Sequence, residues 1–126
     1  MLTQATIHTT LPVTDLGRAE QWYRDKLGMT PAEEMDGGAL YKTPGGEFLL
    51  FPTPITERGG HTQVSFEVSD LKAEMAEMRG HGVVFEEYDM PEFKTVDGMV
   101  SWDGGAAAYC KDSEGNLLCV AEMHHH

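Results

Sequence analysis

A few side chains in this 126-residue chain have types and placements suited to chemistry at neutral pH: His8, His61, His81, Cys119 and Glu67. An imidazole titrates close to neutrality, so an inward-facing His8 with Glu67 nearby forms a candidate general acid and base pair. The plainer alternative is that His8 fills a polar wall. Cys119 ends the stretch "DSEGNLLCV". It is a small buried hydrophobe or, with His8 as activating base on an adjacent strand, a nucleophile. His61, after "RGG", is placed in a loop near a cavity mouth, and His81, in "RGHG", at a helix C-terminus where a cation complements the dipole. The terminal His124–His126 read as an expression-tag remnant and are left out of the chemistry.

These residues need elements to aim them. "ATIHTTLPV" alternates, with Ile7, Leu11 and Val13 on one face and His8, Thr10 and Pro12 on the other, which predicts a strand. "TDLGRAEQWYRDKLG" predicts a helix, capped by Thr14 or Asp15, striped by Leu16, Ala19, Trp22, Tyr23 and Leu27, and stopped at Gly28. Strands around Ala39–Thr43 and Glu47–Phe51 follow, joined by "PGG". After the linker-like "PTPITERGG" the order repeats. "HTQVSFEVSD" alternates, a helix from Ser69 or Asp70 buries Leu71, Met75 and Met78, and Val83–Glu87 reads as a strand. An irregular piece, "YDMPEFKTVDGMVSWDGG", precedes a final hairpin, Ala106–Lys111 and Asn116–Ala121. Val13 with Val68, Asp15 with Asp70 and Leu16 with Leu71 keep one phase, an internal repeat of about 55 residues that must pair to bury its sheet faces.

Composition bounds the function. A net charge of −12 argues against nucleic acid and suits solubility or attraction of cationic ligands. No apolar run of about 18 residues is present, so no membrane span is expected. "MLTQATIHTT" lacks a basic region followed by an apolar one. With two cysteines and no such signal, reduced thiols, no disulfide and a cytoplasmic location are expected.

"HTTLPVTDLGRAEQWYRDKLGM", "VSFEVSDLKAEMAEMRGHGV" and "KDSEGNLLCV", in that order, resemble the vicinal oxygen chelate superfamily of glyoxalase I, fosfomycin and bleomycin resistance proteins and extradiol dioxygenases. The resemblance implies an α+β fold of paired βαβββ modules whose curved sheets form a half-barrel cavity. One domain is expected over 1–123, with module one at about 5–52, a linker at 53–60, module two at about 61–123, and the tag remnant at 124–126. A homodimer is implied, with cavities built from both chains. The metal-ligand positions of metal-dependent members fall on His8, on Phe51 (Leu49 if the register slips by two), on Gln63 and on Cys119. Glu47, of the same parity as Phe51, lies further along the strand than that position. A His/Gln/Cys set without carboxylate suits no hard cation, so no cofactor is expected and a divalent metal is the less favoured alternative.

The expected pocket is lined by His8, Thr10, Phe51, Gln63, Ser65, Glu67 and Cys119, with Leu49 and Leu117. Trp102, Tyr109, Tyr88, Tyr41 and Phe93 are candidate aromatic walls or lids. The favoured function is binding of a small organic molecule, cationic or aromatic, as in bleomycin-type resistance proteins. The alternative is a glyoxalase-like lyase or isomerase using His8 and Glu67 or a soft metal.

Overall fold

A computed structural model describes residues 2–124; two of the three histidines assigned to the tag, His125 and His126, lie outside them. After a short 3-10 turn at Leu2–Gln4, the first module runs β1 (Thr9–Val13), α1 (Leu16–Leu27), β2 (Glu33–Met35), β3 (Gly38–Thr43) and β4 (Gly46–Pro52). The second runs β5 (Thr62–Glu67), α2 (Leu71–Gly80), a small hairpin of β6 (Asp89–Met90) and β7 (Phe93–Lys94), then β8 (Met99–Trp102), β9 (Gly105–Lys111) and β10 (Leu117–Met123). The sheets have orders β1-β4-β3-β2 and β5-β10-β9-β8. In each, the strand before the helix lies parallel to the module's last strand, and the other pairs are antiparallel. The repeat read from the sequence is therefore a repeat of topology, the second copy carrying the β6–β7 hairpin as an insertion.

The helices begin where the repeat places them. Asp15 and Asp70 both hold extended backbone and accept from the N–H three residues on, at 3.0 and 3.1 Å. Those bonds satisfy donors that a helix start leaves open. Gly28 ends α1 in the left-handed conformation. One difference is instructive: Val83–Glu87 is no strand but a coil with a single bridge, Phe85 to Cys110. Val83 and Phe85 are nonetheless buried, so the apolar pattern there records packing and not sheet pairing.

One core serves both modules. Leu11, Val13, Tyr23, Tyr41, Phe48 and Leu50 from the first join Leu71, Met75, Cys110, Leu118 and Val120 from the second. Phe48 meets Phe66 edge-on across the modules at 5.9 Å. Tyr41 is fully buried here, stacked on Phe48 at 5.0 Å, so it belongs to the core and not to a ligand wall.

The turn of "DSEGN" carries the other inter-module contacts. Asp112 Oδ1 accepts from the N–H groups of Glu114 and Asn116 at 2.8 and 2.9 Å, which shapes the turn. Its Oδ2 accepts from the buried Tyr23 hydroxyl at 2.7 Å, and Asn116 Nδ2 donates to Pro12 O at 2.9 Å. Glu114, whose side chain is wholly buried, accepts from Thr14 N at 2.8 Å, Asp15 N at 3.1 Å and Arg18 Nε at 2.7 Å. Module two thereby caps the first helix of module one. Burial, followed by Asp112, drives the Tyr23 hydroxyl well above its ordinary range and keeps it a donor. No helix among the described residues is long and apolar enough to cross a membrane.

Two predictions follow from this geometry. The Arg18 guanidinium, with the Thr14 and Asp15 N–H groups, holds the Glu114 carboxyl down at about 2 against an ordinary 4.5. A depressed folded pKa adds stability that is present above the unfolded value and lost as pH falls through the folded one. Chemical denaturation should therefore show the wild type losing stability between about pH 4.5 and 2, and Glu114→Gln showing a flatter acid limb after a loss of about 2 kcal/mol at neutral pH. Gly38 (φ 134°) and Gly105 (φ 159°) open β3 and β9, and a Cβ at either would collide with a backbone carbonyl, of Leu50 and Glu122 respectively. Gly38→Ala and Gly105→Ala should each cost about 2 kcal/mol or more in thermal or denaturant unfolding.

Candidate functional site

Strand alternation gives each sheet a second face, opposite the shared core. On sheet one this face carries Thr10, Pro12, Leu40, Lys42, Glu47, Leu49 and Phe51, as the register Thr10↔Leu49, Pro12↔Phe51 and Leu40↔Leu49 requires. On sheet two it carries Ser65, Glu67, Leu117, Cys119, Tyr109 and Ala107, with Val100 and Trp102 on the edge strand. The polar positions expected to line a pocket thus fall on the faces turned away from the core, and Thr10, Ser65 and Glu67 are exposed. Sheet two's face has a small apolar cluster of its own, Ala107, Cys119 and Ala121 under Tyr109.

His8 lies just before β1, at the level of Glu47 on the neighbouring strand, and its Nδ1 is 2.8 Å from Glu47 Oε1. The imidazole is about two-fifths exposed and the carboxylate about one-fifth. Glu67 lies on β5 of the other sheet. Reading along β4 alone puts Glu47 too far down the strand. The parallel register with β1 brings it opposite His8.

Gln63 sits at a bulge, since Thr62 pairs with Leu117 and Val64 already with Leu118. Its side-chain oxygen accepts from Leu117 N at 3.2 Å, so this acceptor serves the strand ladder. Ser65 pairs directly with Cys119, and Cys119 with Tyr109. Burial raises the thiol above its ordinary value, and the neighbouring Ser65 and Tyr109 hydroxyls offset it only in part. Cys110, on the core face, is pushed up to about 12, chiefly by burial and then by Asp112. Neither thiol has the electropositive, accessible setting that makes a cysteine reactive.

The β6–β7 hairpin folds over the same face. Tyr88 packs against Phe93 at 5.3 Å and Tyr109 at 6.0 Å, and Phe93 against Tyr109 at 5.7 Å. All three rings are half-buried. A cavity of about 350 Å3 opens beside them, between Tyr88, Leu117, Glu86, Lys111 and Arg58. Lys111 stands 3.6 Å from Glu86, while Arg58 donates to the carbonyls of Ile55, Glu57 and Glu114. Trp102 is at the far end of the sheet, opposite Gly105, and nearly half exposed.

The expected pocket residues therefore form two groups. His8, Thr10 and Phe51, now joined by Glu47, stand on sheet one. Gln63, Ser65, Glu67, Tyr109, Cys119 and Trp102 stand on sheet two. The His8–Glu47 contact stays within sheet one, and the Ser65–Cys119–Tyr109 pairing within sheet two. Among the described residues, no three His, Cys, Asp or Glu side chains are gathered as a metal ion would need. His61 is exposed in the loop before β5, its Nδ1 3.1 Å from Thr62 O, and His81 caps the end of α2.

Solved structures share this architecture. UcmS2 superposes with a TM-score of 0.72 at 21% identity, over 94% of this chain and 98% of that one. The lactoylglutathione lyase of Agrobacterium tumefaciens gives 0.68 at 21% identity, over 94% and 93%. A glyoxalase/bleomycin resistance protein of Catenulispora acidiphila gives 0.69 at 21%, over 94% and 97%. At these identities the likeness is one of fold. Among curated proteins no sequence matches. The model of the Glyoxalase/Bleomycin resistance protein/Dioxygenase superfamily matches residues 6–120, and the chain belongs to that superfamily.

Proposed function

We propose that the protein binds a small aromatic molecule on the outer face of sheet two, without a resident metal. The observation that carries this reading is the Tyr88–Phe93–Tyr109 cluster: three half-buried rings laid over that face beside a cavity. Half-buried rings offer stacking area at little conformational cost, and apolar surface of this kind is typical of ligand walls. The overall charge of −12 supports a preference for cationic ligands. The cavity's own charges run against that preference, because Lys111 and Arg58 outnumber Glu86.

The donors available for a metal speak in the same direction. Of the four positions that the family resemblance marks, Phe51 has no donor atom, Gln63 serves the ladder, and Cys119 is a buried thiol with a raised pKa. Only His8, with Glu47, offers ordinary ligand chemistry, and two donors fall short of the three or four of protein metal sites. The open face of each sheet is half of a pocket, and a second copy of the chain would close it by setting sheet one of one protomer against sheet two of its partner.

The binding reading is tested by calorimetry with basic aromatic antibiotics, a bleomycin-type glycopeptide among them. Saturable binding is expected, weakened about tenfold or more by Tyr109→Ala and by Tyr88→Ala. No heat across the panel, or binding indifferent to both substitutions, would overturn it.

A second reading has one specific support, the 2.8 Å His8–Glu47 pair, which could act as acid and base in a glyoxalase-like lyase or isomerase. Glu47 replaces Glu67 as the partner in that scheme. If the binding reading holds, tag-free protein carries less than about 0.1 metal per chain and His8→Ala leaves any turnover found unchanged. Stoichiometric metal, or a turnover abolished by both His8→Ala and Glu47→Gln, would favour the enzyme.

A further inference from the structure

We infer that a groove between α2 and the β7–β8 turn, on the core side of sheet two and away from the aromatic face, is a binding site for a small amphiphilic carboxylate. The groove is open to solvent along one side and has a volume of about 640 Å3. Lys72 and Arg79 of α2 and Lys94 of β7 line it, three of the nine cations in a chain of net charge −12. Asp97 is the one carboxylate in the lining, so the groove carries an excess of two positive charges. An acidic chain left to average its charges would not gather them this way.

The cations are only loosely engaged. Arg79 lies 5.1 Å over the Phe85 ring and gives its Nη2 to the backbone oxygen of Asp97 at 2.8 Å, a neutral acceptor. Lys94 reaches Asp89 at 4.0 Å between well-exposed side chains, a pairing that contributes little. Nearby carboxylates are already committed. Glu122, close to Lys72, accepts from Leu71 N at 2.9 Å; Glu87 accepts from Gly98 N at 2.6 Å.

The walls are fixed before any ligand arrives. Asp97 (φ 55°) and Gly98 (φ 79°) form a tight turn with both central residues left-handed, bridged by Val96 and Met99. A Cβ on Gly98 would come within 3.0 Å of Arg79 Nη2 and 3.1 Å of Phe85 Cβ, so the turn seats directly against α2. The floor is apolar, with Met75 buried and Met99 half-buried, and Val96 stands two-thirds exposed on the rim. A head of one negative charge meets the cations while a short alkyl or aryl tail covers Met99 and Val96. The groove offers methionine and valine where a phosphate site would offer a nest of backbone N–H groups.

The test titrates the protein with octanoate, with acetate and octylammonium as head-only and opposite-charge controls, by calorimetry at low salt. One octanoate per chain is expected, with no saturable binding of either control. The double variant Lys72→Glu/Lys94→Glu changes two exposed side chains and should lower octanoate affinity about tenfold or more while leaving the melting temperature within a few degrees. Tyr109→Ala, on the other face, should leave it unchanged. Absence of saturable binding up to about 5 mM, equal binding of octylammonium, or an affinity that follows Tyr109 and not the lysines would overturn the assignment.

Discussion

The buried carboxylate of Glu114 ties the last hairpin to the start of the first helix, and the relation of the two modules rests on it. It stands at the tip of a turn that Asp112 shapes from within, and it takes the open N–H groups of Thr14 and Asp15 together with the Arg18 guanidinium. Asp112 and Asn116 extend the same clasp to Tyr23 and Pro12. A buried charge is tolerable only when fully paired, and this one has both a cationic partner and helix-start donors. The polar clasp and the apolar Phe48–Phe66 contact work together. Apolar contact supplies non-directional attraction, and the clasp sets the angle at which the modules meet.

With the modules joined through their helix sides, the outer faces of both sheets remain for other work. Sheet one presents the His8–Glu47 pair, and sheet two presents a thiol between Ser65 and Tyr109 beside an aromatic cluster. Their chemistry differs although their topology is the same. Both units carry an aspartate cap and a strand-opening glycine, while the residues on the outward faces differ.

Most of this architecture could be read from the residues in order. Helix caps at Asp15 and Asp70, the alternation of β1 and β5, and the in-phase repeat all depend on local periodicity, and local periodicity survives in the fold. What was not legible depends on partners distant in the chain. The edge strands β2 and β8 are three and four residues long, too short for an apolar alternation to announce them. Tyr41 reads as a wall residue until its pairing with Phe48 assigns it to the core. The His8–Glu47 pair needs the parallel β1–β4 register, and the commitment of Gln63 needs the bulge opposite Leu117. The turn "DSEGN" was readable as a turn, but its hold on α1 about a hundred residues earlier was not.

The separation of faces along each strand has a bearing on how such a chain can change. Leu118 and Val120 hold the core while their neighbours Leu117, Cys119 and Ala121 face away from it, so adjacent codons answer to different demands. Substitutions at the outward positions can accumulate without opening voids in the packed interior, where volume changes are poorly tolerated. A lineage built on this plan can replace a ligand set one residue at a time and stay folded throughout.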